Sequence, residues 1–270
     1  MHIKDIHHLT LRNEKIAMLT CYDATFAKLL EVANIDMLLV GDSLGMVLKG
    51  SENTLGVTMQ DMIYHTASVA AGCKKTLIMT DMPYGSYESS ESDALNNAQL
   101  LINAGAHIVK VEGGGHIVDI VKFLTKHQIP VCAHLGFTPQ SVKAIGGYKI
   151  QGKTEESAQQ ILNDALAMEQ AGASLMVLEM VPAALAKRIT ESIKIPTIGI
   201  GAGIDCDGQV LVLQDLLGIY SGSVHQHPSD FKSPRFSHNF LAGKGSIQAA
   251  VSAYIYAVKN KTFPAIEHSY

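Results

Sequence analysis

Short apolar runs alternate along the chain with longer stretches in which apolar residues recur at helical spacing. The runs cover residues 16–21, 37–40, 76–79, 108–111, 131–134, 175–178 and 197–200, with an eighth near 209–213. Because they are apolar on both faces, they predict strands of a parallel sheet that is covered on both sides. Helices fit between them at 23–33, 92–104 and 154–170; in the first, Phe26, Leu29, Leu30 and Ala33 share a stripe. Gly105 and Gly172, in NAGA and QAGA, stand where a left-handed residue ends a helix. A last helix over 245–259 puts Ile247, Val251, Tyr254, Ile255 and Val258 on one face, which either closes the domain or packs on a partner.

Seven or eight βα units in 270 residues match an α/β fold of the TIM (β/α)8 barrel type, typically about 250 residues long, better than an open doubly wound sheet. Nothing in the pattern divides the chain, so a single barrel domain over 1–270 is expected. Segments 138–152 and 221–239 break the rhythm as long loops, a kind that is usually functional or mobile.

Four of the runs end at or near an acid: Asp42 in MLLVGDSLG, Asp81 in TLIMTDMP, Glu112 in IVKVEGGG and Glu179 in LMVLEMVP. One such acid is explained by helix capping. Asp42, Asp81 and Glu112 on consecutive strands are different, because three negative charges in one barrel mouth repel unless a cation compensates them. An oxygen-only set favours a hard ion, Mg²⁺ ahead of Mn²⁺ or Ca²⁺. A closed barrel would also bring Glu179 round to face the other three.

Lys110 lies two residues before Glu112, so strand alternation sends both side chains to the same face. It is either a counter-ion or a ligand for a substrate carboxylate or oxyanion. His134 near the end of the fifth run is a core histidine or a member of the site. Tyr22 and Asp23 follow the first run, and capping accounts for Asp23. Gly199, Gly201 and Gly203 in IGIGAG would cradle an anion with backbone N–H groups or permit close packing. His225 and His227 have no acidic or Cys neighbours and read as solvated.

Charged residues are 17% of the chain and the net charge is −4, so no basic surface exists to neutralise a phosphate backbone, and nucleic acid is not an expected partner. The first fifteen residues are polar and basic, unlike a secretory signal or an anchor. No apolar stretch approaches the roughly 18 residues of a spanning helix, so no membrane partner is expected. Four cysteines without CxxC spacing suit a reducing, cytoplasmic setting.

With VGDSLG, DMPYGSY, VKVEGG, HLGFTPQS, GGYKIQG, LVLEMVP, IGIGAG and DGQVLV in this order, the chain resembles the ketopantoate hydroxymethyltransferase family from about residue 16 onward. The resemblance implies a barrel of the phosphoenolpyruvate/pyruvate superfamily, a Mg²⁺ requirement and a homodecamer. It also implies transfer of a one-carbon unit from 5,10-methylenetetrahydrofolate to 3-methyl-2-oxobutanoate, giving 2-dehydropantoate on the way to pantothenate. On matching positions, Asp42, Asp81 and Glu112 belong to the metal site, while Asp42, Ser43, Asp81, Lys110 and His134 lie at the keto acid. Glu179 would accept the C3 proton as an enolate forms, with Mg²⁺ offsetting the enolate charge.

Two departures stand out: SGSVHQHPSDFKSP at 221–234 is longer than the family's short connection, and Ala133 replaces the commoner glycine of GHLG. The alternatives are a Mg²⁺-dependent lyase or mutase of the same superfamily, and a non-catalytic metal and keto-acid binding barrel. The KKCGH run of isocitrate lyases is absent, and Glu179 argues against mere binding.

Overall fold

The computed structural model describes residues 2–270. Its eight strands are β1 (Ile16–Thr20), β2 (Met37–Val40), β3 (Leu77–Asp81), β4 (Ile108–Glu112), β5 (Val131–Gly136), β6 (Leu175–Glu179), β7 (Thr197–Ile200) and β8 (Gly208–Leu211). They pair in parallel in sequence order, and β1 closes on β8 to complete a barrel. Each expected run is present, displaced at its ends by at most two residues.

The helices among the described residues are α1 (Ile3–Leu11), α2 (Ala24–Val32), α3 (Leu44–Val47), α4 (Met59–Gly72), α5 (Glu91–Asn103) and α6 (Ile117–Lys126). They continue with α7 (Val142–Ile145), α8 (Glu155–Gln170), α9 (Ala183–Ser192), α10 (Leu213–Leu216) and α11 (Ile247–Lys259). Side-chain caps set several starts. Asp23 accepts the Phe26 N–H at 2.9 Å, and Thr154 accepts that of Ser157 at 3.2 Å, as N-caps do. Gly105 and Gly172 follow α5 and α8 with φ of +116° and +96°, conformations that cost glycine little.

Inside the barrel, alternate residues of each strand point inward. The lower layers are apolar: Ile16 and Met18 on β1, Leu77 and Met79 on β3, Leu175 and Val177 on β6. The next inward positions are Asp81, Lys110, Glu112, His134 and Glu179. The same period of two therefore changes from packing to chemistry at the C-terminal ends of the strands. There the registers set Asp81 beside Lys110, Glu112 beside His134 and Gly136 beside Glu179.

Two helices finish the barrel. The first, α1, lies across its N-terminal end; Ile6 is fully buried among the inward residues of the strands, and His7 Nε2 is 2.9 Å from the Ser174 carbonyl just before β6. The last, α11, packs on the β1–β8 seam, where the buried Tyr254 hydroxyl reaches the carbonyls of Met18 and Gln209 at 3.0 and 2.9 Å. Of the two roles open to that helix from its sequence, closing the domain is therefore one it performs. No helix among the described residues is long and apolar enough to cross a membrane.

Candidate active site

A cavity of about 940 Å³ opens at the C-terminal ends of the strands. Asp42, Ser43, Asp81, Lys110, Glu112, His134 and Glu179 all line it, so the structure brings every site residue expected from the sequence to one place.

Lys110 is the centre of the charged cluster. Its Nζ donates to Glu112 Oε1 at 3.1 Å and lies 3.2 Å from Asp81 Oδ1. Burial opposes its charge, but Asp81, Glu112 and Asp42 outweigh burial and raise its pKa well above the usual lysine value. Glu112 responds in the opposite sense. Burial raises its pKa, but Lys110, His134 and hydrogen bonds prevail and hold it at about 2.

Asp42 is the group least matched by positive charge. Burial, Glu112 and Asp81 together push its pKa well up, against Lys110 and a hydrogen bond from Gln140. Asp81 is shifted upward as well, chiefly by burial. The Asp42 N–H donates to Asp81 Oδ2 at 3.0 Å. Gly41 leaves room for the Ser43 hydroxyl, since a Cβ there would stand 2.9 Å from Ser43 Oγ, whereas Asp81 Oδ2 at 3.5 Å would be in ordinary contact.

His134 joins the two sides of the mouth. Its Nδ1 is 3.2 Å from Glu112 Oε1 and 3.1 Å from Lys110 Nζ. Its Nε2 lies 3.3 Å from Glu179 Oε2, within ion-pair range but outside hydrogen-bond geometry. Burial and Lys110 lower the imidazole pKa, and Glu112 and Glu179 more than offset them, raising it to about 9. Glu179 is the most open of the cluster, its side chain 12% exposed. Met180, just after it, adopts φ +47°, a left-handed turn that costs a non-glycine residue about 1–2 kcal/mol. Backbone bonds from Met180 N–H to the Ile200 carbonyl and from Gln151 N–H to the Met180 carbonyl hold that turn.

Ser43 is half-buried, its Oγ 2.9 Å from the Tyr22 hydroxyl. Tyr22 thus reaches the rim as its position after β1 suggested, and Asp23 serves only as the cap of α2. The IGIGAG glycines favour close packing. Added Cβ atoms would meet Cys206 at residue 199, Tyr270 and Phe236 at residue 201, and Ala183 at residue 203, the nearest approach in each case being 3.1, 3.0 and 2.6 Å. His225 and His227 are exposed, as read from the sequence, but they line the outer cavity.

Sequence reasoning missed Gln140 and Tyr87. Gln140 Nε2 donates to Asp42 Oδ2 and to the Met82 carbonyl, both at 2.9 Å, and its backbone N–H donates to Glu112 Oε2 at 3.0 Å. The Tyr87 hydroxyl donates to Gln140 Oε1 at 2.7 Å and accepts the Glu112 N–H at 3.1 Å. These two neutral residues tie Asp42, Glu112 and the backbone just after β3 together. A polar glutamine directly after the TP of HLGFTPQS was the one available signal.

Two observations bear on a metal ion. Three buried carboxylates face one lysine, and Asp81 Oδ1 has no hydrogen bond beyond its ion pair with Lys110 at 3.2 Å, so the excess negative charge suits a hard cation. As the side chains stand, however, no three acidic, His or Cys groups among the described residues converge into a finished coordination shell. Both Glu112 oxygens are already engaged by Lys110, His134 and Gln140, which leaves Asp42 and Asp81 as the better-placed direct ligands.

Barrel and mouth define a (β/α)8 protein that gathers four acids, a lysine and a histidine at the C-terminal ends of its strands. Solved structures with this fold include a phosphoenolpyruvate phosphomutase from Streptomyces platensis subsp. rosaceus, with a TM-score of 0.60 at 12% identity over 80% of this chain and 82% of that one. A putative phosphonomutase from Burkholderia cenocepacia gives 0.64 at 13% identity, covering 80% and 94%. The family model described as ketopantoate hydroxymethyltransferase matches residues 1–266. The 3-methyl-2-oxobutanoate hydroxymethyltransferase of Nitrosospira multiformis is 56% identical over 95% of this chain and 94% of its own. Its namesake from Methylobacillus flagellatus is 53% identical over the full length of both. The chain belongs to the ketopantoate hydroxymethyltransferase family.

Proposed function

We propose that the protein transfers a hydroxymethyl group from 5,10-methylenetetrahydrofolate to 3-methyl-2-oxobutanoate, forming 2-dehydropantoate in the route to pantothenate. The observation that carries this reading, beyond family membership, is the placement of Glu179. It is the one carboxylate of the cluster outside the Lys110 and Gln140 networks, and it faces the same cavity as Asp42, Asp81 and Lys110.

In this reading the keto acid sits with its carboxylate and keto oxygens toward Lys110, and Ser43 donates a hydrogen bond from the rim. Glu179 takes the proton from C3, oriented by His134, a role worth about 10²–10⁴-fold in rate. Lys110 and His134 balance the negative charge that moves onto the keto oxygen as the proton leaves. The C3 carbon then forms a bond to the methylene carbon of the folate as the bonds from that carbon to the two folate nitrogens break; water supplies the hydroxyl oxygen, and tetrahydrofolate leaves with the C3 proton and a proton of the water on its nitrogens. Asp42 and Asp81, with Glu112 behind them, would hold Mg²⁺, which when bound supplies further positive charge for the keto oxygen.

A cytoplasmic homo-oligomer, a homodecamer by resemblance, belongs to the same proposal. Apolar side chains such as Val32 and Tyr256 are exposed, at 60% and 68%, as a surface for assembly requires.

The test is product formation from the keto acid with and without methylenetetrahydrofolate, in Mg²⁺ and in EDTA. Product is expected only with the folate present, and turnover should fall in EDTA and return with Mg²⁺. Consumption of the keto acid without folate would favour a lyase, and full turnover in EDTA would remove the metal from the reading.

A further inference from the structure

The cavity, about 940 Å³, is near the upper end of ordinary ligand sites and exceeds what a five-carbon keto acid fills. Its two sides differ in chemistry. Opposite the charged cluster, the wall is made by Ile200, Val212, Tyr220, Phe236 and Tyr270. In that wall stands one inner carboxylate, Asp215 on α10, four residues past the end of β8.

Among the described residues the Asp215 carboxyl has neither a hydrogen bond nor an ion pair, and burial alone pushes its pKa up to about 6. It does not cap α10, because the Leu213 N–H goes to Thr20 Oγ1 at 2.9 Å. A half-buried carboxylate without partners destabilises the fold. Its place in the first turn of the four-residue α10 favours a negative charge only weakly, so its use lies with whatever fills the cavity.

We propose that this wall is the subsite for the reduced pterin of the one-carbon donor, with Asp215 accepting hydrogen bonds from the pterin ring N3–H and 2-amino group. The assignment rests on the folate-dependent reading above and adds to it the group that orients the donor. A pterin is a flat bicycle whose pyrimidine edge carries those two N–H donors side by side. A carboxylate accepts such a pair with charge-assisted bonds, and aromatic side chains cover the flat faces. An anionic group would be repelled here, and the neighbouring IGIGAG turn, packed against Phe236 and Tyr270, does not offer it an open cradle. The pterin then lies across the cavity from Lys110 and Glu179, so that its methylene can point toward the keto acid.

The test titrates tetrahydrofolate into the full-length protein by calorimetry, with 3-methyl-2-oxobutanoate present. Asp215→Asn should weaken tetrahydrofolate by about tenfold or more while leaving the dissociation constant of the keto acid unmoved. A 2-desamino analogue of tetrahydrofolate should bind the wild type more weakly by a similar factor, and the Asn variant should no longer distinguish the two folates. Equal tetrahydrofolate affinity in wild type and variant overturns the assignment. So does a loss shared by both substrates, or discrimination that survives in the variant. If the variant does not fold, equal binding of both folates by the wild type overturns it as well. Failure of the underlying reading looks different, since the wild type would then bind no tetrahydrofolate at all.

Discussion

The two sides of the cavity are built in opposite ways. On the β2–β6 side each charged group has partners fixed by strand register or by Gln140, and those partners are present before any ligand arrives. On the β7–β8 side Ile200 and Val210 come from the strands, but most of the lining comes from residues beyond them, from segment 221–239 and from Tyr270, and the one inner carboxylate has no partner among the described residues. Charge that changes during a reaction is best met by groups already held in place, because they need no reorganisation at the moment of proton transfer. A planar co-substrate needs shape and one orienting polar group. Under the proposed function, the contrast separates a reacting side from a recognising side.

The largest expected effect breaks the reacting side. Glu179→Gln should slow exchange of the keto acid C3 proton in D₂O by about 10²–10⁴-fold, with keto acid binding by calorimetry preserved. Exchange at the wild-type rate would remove Glu179 from the role of base.

Next comes the network itself. Gln140→Ala leaves Asp42 Oδ2, the Met82 carbonyl and the Tyr87 hydroxyl each short of a partner. At about 1–3 kcal/mol for a buried group so orphaned, a net loss of about 2–4 kcal/mol is expected, partly relieved by water. That corresponds to a fall of roughly 4–7 °C in Tm for a chain of this size. An unshifted melting curve would mean that these hydrogen bonds contribute nothing to holding the acids.

The smallest effect sharpens the recognising side and depends on pH. Asp215 titrates at 3.8 when unperturbed and at about 6 in the fold, so the folded protein prefers the neutral acid. Its contribution to stability is whole below pH 3.8, is lost as pH rises through about 6, and stays lost above. Asp215→Asn cannot ionise and should therefore be more stable than the wild type at pH 8, by about 1–2 kcal/mol after allowance for partial exposure. Below the window the two should unfold alike. Equal unfolding curves at pH 8 would show that the carboxylate has a partner after all.

The reacting side was legible in the sequence because its members share a local rule. Asp81, Glu112 and Glu179 end apolar strands, and Lys110 precedes Glu112 by one strand period, so alternation and strand order suffice to bring them together. Even the shift of β3 from an expected end at Met79 to Asp81 follows from that alternation, since 77, 79 and 81 all point inward. Gln140 and Tyr87 were not legible, because their partners lie 25 to 98 residues away and no local period announces them. Asp215 was not legible either, because the run expected near 209–213 ends at Leu211 and Asp215 stands on α10 rather than at a strand end. Phe236 and Tyr270 enter the cavity through irregular backbone, where pattern has no purchase. The helix α1 escaped notice because its core face is only Ile3, Ile6 and Leu9 within a polar, basic stretch.

That small helix has a kinetic consequence. With α1 stoppering one end of the barrel, both reactants and both products pass through a single doorway. The proposed keto-acid site at Lys110 and the proposed pterin wall face each other across that one mouth, so a ligand seated on either wall narrows the passage to the other. Initial-rate and product-inhibition patterns report the order in which the two are filled and emptied.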